Sequence, residues 1–67
     1  MNDQPRLVLL QALLELGNHY PHWRFGQLVS NVAGWVDVDP WDVEDEQLLA
    51  AAASHLEELR KRDRVAQ

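Results

Sequence analysis

Cysteine is absent from all 67 residues, which removes disulfide staples and thiolate zinc sites together and fits a reducing interior. Glycine and proline number only three each, with no linker, repeat or low-complexity tract among them. No apolar run approaches the roughly 20 residues of a membrane span. The opening Met1-Asn2-Asp3-Gln4-Pro5 lacks the charged-then-apolar build of an export signal, so the expectation is a cytoplasmic protein with no membrane partner. Basic residues are also few, six against eleven acids, for a net charge of −5. An acidic chain repels phosphate backbones, which argues against nucleic acid as a partner.

A chain of this length buries only about 60% of the surface its unfolded form exposes. Its core seldom supplies more than roughly 3–5 kcal/mol without a staple. With disulfides and thiolate zinc removed, self-association is the staple that remains simplest. The charge is laid down in blocks: six acids fall between Asp37 and Glu46, and four of the six basic residues between Arg60 and Arg64. The basic block ends a helical pattern, where cations offset the partial negative charge of the helix terminus.

Residues 1–67 read as a single all-α domain of three helices, about 4–16, 23–35 and 45–62. The first is capped by Asp3, carries Pro5 in its first turn and meets a stop signal at Gly17-Asn18. Its apolar residues, Leu7 to Leu10, Ala12 to Leu14 and Leu16, fill more than about 200° of the wheel, twice the stripe one core needs. Only Gln11 and Glu15 mark a solvent face. A symmetric helical dimer with contacts from Leu7, Leu9, Leu10, Leu13 and Leu14 is therefore expected. Pro21 begins a second helix with the apolar face Phe25, Leu28, Val29 and Val32. Gly26 inside it costs about 1 kcal/mol relative to alanine, which points to another backbone close by. An acidic loop, Asp37 to Val43, with a short extended piece around Trp41–Val43, leads to a third helix. That helix starts at Glu44-Asp45 and shows an ordinary one-sided face of Leu48, Leu49, Ala52, Leu56 and Leu59. Residues 63–67 are expected to fray.

Arg24, Gln27 and Asn31 stand at i, i+3 and i+7, a polar stripe along the second helix. With six carboxylates just downstream, Arg24 is expected to pair with one of Asp42, Glu44 or Asp45. The network would then comprise Arg24, Gln27, Asn31, Glu44 and Asp45. Three tryptophans are many for this length; Trp41, flanked by Asp39 and Asp42, is the best interface anchor among them, because tryptophan is enriched at binding hot spots.

Catalytic and metal chemistry find little support. His19-x-x-His22 lies in a Tyr-Pro turn with no third ligand in reach. Asp37 to Leu48 imitates a calcium loop only at its start, with Trp41, Asp42 and Leu48 where an oxygen ligand, glycine and glutamate belong. Ser30 and Ser54 lack a nucleophile–base–orienter arrangement, and the chain is too small for a sizeable substrate pocket. No catalytic residue, metal ligand or cofactor is assigned.

The order Pro21-x-x-Arg24-Phe25-Gly26-Gln27-Leu28-Val29-x-Asn31, then Asp39-Pro40-Trp41-x-Val43-Glu44-Asp45-Glu46-x-Leu48, resembles small uncharacterised proteins of bacteria and their phages. In these, a Pro-x-x-Arg-x-Gly-Gln-Leu-x-x-Asn helix precedes an aromatic-x-Val-Glu-Asp-acid-x-Leu helix start. The likeness spans about Leu10 to Leu59, with Trp41-Asp42 where the family carries an aromatic pair. It implies that Arg24, Gln27, Asn31, Glu44 and Asp45 act together, and a setting in phage–host conflict or stress. The resulting expectation is a non-enzymatic protein-interaction or regulatory module, a homodimer with an unidentified protein partner. Its rivals are a structural subunit of a larger complex and a nucleic-acid-binding regulator using the basic C-terminal tail.

Overall fold

The computed structural model describes residues 5–65, with side chains to residue 62. Three helices and no strand lie among them: α1 (Pro5–His19), α2 (Phe25–Trp35) and α3 (Asp45–Val65). The expected cap at Asp3 lies outside the described residues, as do residues 66 and 67 of the expected frayed end; residues 63–65 continue α3.

α1 does not stop at Leu16. It runs through Gly17 and Asn18, and Tyr20 N–H still reaches the Leu16 carbonyl at 3.0 Å. Pro21 sets the end, because a proline disfavours helical geometry in the residue before it. Gly17 needs no special conformation, for a Cβ there would meet Leu28 Cδ2 at 3.8 Å, ordinary contact. α2 begins later than its pattern predicts. A turn closed by Trp23 N–H on the Tyr20 carbonyl (3.0 Å) uses up the intervening residues, and Arg24 becomes the N-cap in extended geometry.

The C-terminus of α2 is a Schellman arrangement. Val38 N–H bonds the Ala33 carbonyl at 3.2 Å and Asp37 N–H the Gly34 carbonyl at 3.0 Å, with Asp37 left-handed at φ 60°. Gly34 therefore sits inside the helix, and the position that favours glycine holds Asp37. The predicted extended piece at Trp41–Val43 is instead a turn: the Asp39 carbonyl accepts from Asp42 N–H (2.9 Å) and Val43 N–H (3.0 Å). α3 starts where its acids predict. Glu44 N–H donates to Gln47 Oε1 at 2.9 Å, the returning half of a capping box.

One core joins the helices. Leu9, Leu13 and Leu16 of α1 meet Leu28, Val32 and Ala33 of α2 and Leu48, Ala52 and Leu56 of α3. α1 packs most extensively on α3. Arg6 pairs with Asp45 near the start of both helices (3.0 Å) and Glu15 with Arg60 further along (3.6 Å), so the two run in the same direction. α2 ends at Trp35, stacked on His55 in the middle of α3. From there the chain must return ten residues' worth of helix, about 15 Å, to begin α3 beside Arg6. That distance accounts for the long connection 36–44.

Candidate interaction surfaces

The predicted polar network is not assembled. Among the described residues no side-chain hydrogen bond or ion pair joins Arg24, Gln27 or Asn31 to Glu44 or Asp45. Arg24 and Gln27 are exposed and Asn31 is half-buried. Asp45 is taken by Arg6 rather than Arg24. The reason is position: Arg24 caps α2 just past the end of α1, whereas Asp45 and its neighbour Glu44 lie beside Arg6 at the start of α1, a helix length of about 20 Å away. Nothing lies within 4 Å of a Cβ placed on Gly26, which overturns the expected close backbone approach.

The apolar excess of α1 takes a definite form. Leu9 and Leu13, expected at a dimer contact, are only 4% and 3% exposed in the chain's own core. Leu7, Leu10 and Leu14 are 53%, 49% and 68% exposed. They stand at i, i+3 and i+7, one uncovered seam beside the buried one. Phe25 at the start of α2 is 62% exposed next to this seam. Between α1 and α2 runs a groove of about 250 Å³, floored by Leu13 and Leu28 and walled by Leu10, Leu14, Trp23 and Phe25. Among the described residues, Asn18 is the one with a polar side chain that lines it, and none of the lining residues is charged.

Trp41 is 92% exposed. Its backbone is held nonetheless, because Trp41 N–H donates to Asp39 Oδ1 at 2.9 Å within the turn described above. Asp42, Glu44 and Glu46 surround it, with Arg6 as the neighbouring cation. The two outer acids of the expected surface therefore differ in role: Asp39 builds the turn, and Asp42 is exposed at its edge.

A third constellation escaped the sequence reading. Tyr20 stacks on Trp23 (centroids 4.2 Å apart, 9° between planes), and Trp35 stacks on His55 (4.1 Å, 19°). Tyr20 Oη and His55 Nε2 share a hydrogen bond of 2.6 Å. The row ties the α1–α2 turn and the end of α2 to the middle of α3. His55 is held below its ordinary value of 6.5, chiefly by burial, with Arg62 and His19 adding to the effect and Glu58 opposing it. Its spacing from Leu48 (i+7), Ala52 (i+3) and Leu59 (i−4) places it on the apolar face of α3, a signal present in the sequence.

Among the described residues no three metal-binding side chains converge, and no helix is long and apolar enough to cross a membrane. Compared with protein families, with curated proteins and with solved structures, the chain matches none of them.

Proposed function

We propose that this protein is a non-enzymatic protein-interaction module that acts as a homodimer and presents the Trp41 turn to a protein partner. The exposure of Trp41 carries the reading. An indole left 92% in solvent on a hydrogen-bonded turn offers a large apolar area whose backbone is already ordered, so binding loses less entropy there. The carboxylates of Asp42, Glu44 and Glu46 around it favour a partner surface with positive charge. Self-association through the uncovered side of α1 supplies the additional burial that a chain this small lacks.

The rival structural-subunit reading draws on one observation: Val8, on the other flank of α1, is also 48% exposed, so apolar surface extends past the groove. Binding of nucleic acid by the C-terminal tail is disfavoured, because Arg60 is engaged by Glu15 and Glu57.

The test compares capture from an extract of the native cell by tagged wild-type protein and by Trp41→Ala. Trp41 contributes nothing to the core, so the variant should keep its helix content and thermal midpoint. A bound protein should be lost with it, since truncating a hot-spot tryptophan costs about 2 kcal/mol or more. An identical captured set with both proteins would overturn the assignment of Trp41.

A further inference from the structure

We propose that the groove between α1 and α2 is occupied by a second copy of this chain, each copy inserting Phe25 into the groove of the other about a two-fold axis. The inference rests on the homodimer reading above and specifies its contact. A two-fold interface uses the same patch on both partners, so one patch must hold both a protrusion and its receptor. This face does: Phe25, 62% exposed, lines the edge of a groove of about 250 Å³ and keeps most of its ring free to enter another. A cavity of about 150 Å³ holds a benzene ring, so one phenyl group fits.

Charge and area choose the occupant and its strength. Six of the acids cluster from Asp37 to Glu46, and among the described residues no charged side chain lines the groove. Two chains of net charge −5 meet here without opposing carboxylates, while a cationic partner finds nothing to attract it. Leu7, Leu10, Leu14 and Phe25 together expose on the order of 400 Å² per copy. Doubled, that falls just short of the roughly 1,000 Å² of a specific stable interface. A contact of that size is a weak or transient one, so its association is sought between about 1 μM and 1 mM.

Sedimentation over that concentration range decides the matter. The wild type should move from 7.7 kDa towards twice that mass. Phe25→Ala and Leu14→Gln should each weaken the association at least about tenfold, as hot-spot truncations do, with circular dichroism unchanged because both side chains are exposed. Val8→Gln, on the opposite flank, should leave it alone. A wild type still monomeric at about 1 mM overturns both the contact and the homodimer. Dimerisation sensitive to Val8→Gln but not to Phe25→Ala or Leu14→Gln overturns the contact and leaves the homodimer standing.

Discussion

Asp37 holds a left-handed backbone (φ 60°) at the C-terminus of α2, where a Cβ is unfavourable and a carboxylate faces the negative end of the helix. Replacing it with glycine relieves both penalties and should stabilise the fold by about 1 kcal/mol. Gly26 and Gly34 pose the converse case. Each sits inside α2 with nothing within 4 Å of an added Cβ. Alanine at either should add about 0.5–1 kcal/mol. Urea unfolding midpoints check all three, and a loss in any of them refutes the corresponding backbone argument. α2 ends at Trp35 with Gly34 inside it, and the left-handed position that closes the helix is taken by Asp37.

His55 makes stability depend on pH. Its folded value lies below the unfolded 6.5, so the unfolded chain binds the extra proton as pH falls. The contribution is fully present above 6.5 and is lost as pH drops through the lower folded value. Charged and titratable neighbours from α1 and α3 (His19, Glu58 and Arg62) act on the same group. Urea midpoints should fall as pH drops below 6.5, and His55→Phe should flatten that slope. An equal slope in the variant would assign the dependence to other groups.

At the scale of elements, α3 was the most legible because its signals are local: acids and Gln47 at the start, and one apolar stripe. The end of α1 and the start of α2 were misplaced for a shared reason. Both are set by the turn that Pro21 forces, and the hydrogen bonds of Tyr20 and Trp23 decide how many residues it consumes. The polar network failed for a different reason: helical spacing says nothing of which end of α1 the acids reach, and Asp45 starts α3 beside Arg6, far from Arg24. The helices cohere through few contacts. Leu16 is fully buried among all three, and Leu→Ala at such a site costs about 2–5 kcal/mol. A core of this size supplies roughly 3–5 kcal/mol. Leu16→Ala should therefore leave the monomer largely unfolded at room temperature, whereas Leu14→Ala, two residues away but 68% exposed, should stay folded; circular dichroism melts separate the two.

For the whole molecule, the sequence foretold that α1 carries more apolar surface than one core can cover. It could not say which leucines would remain outside. A helix greasy around half its circumference offers several equivalent seams, and the choice falls to the neighbours. α3, lying parallel, took the stripe of Leu9, Leu13 and Leu16 and left Leu7, Leu10 and Leu14 uncovered. The site was less readable than the fold for the same reason: grooves belong to pairs of helices, and the groove beside Phe25 exists only once α1 and α2 are placed.

The three indoles occupy three unlike surroundings, which makes the protein its own optical reporter. Trp41 stands in water, open to a neutral soluble quencher such as acrylamide. Trp23 lies against a phenol, and Trp35 against an imidazole whose proton comes and goes with acidity. Fluorescence of variants retaining one tryptophan each would follow partner engagement at Trp41, the chain reversal at Trp23 and titration at Trp35, with no added dye.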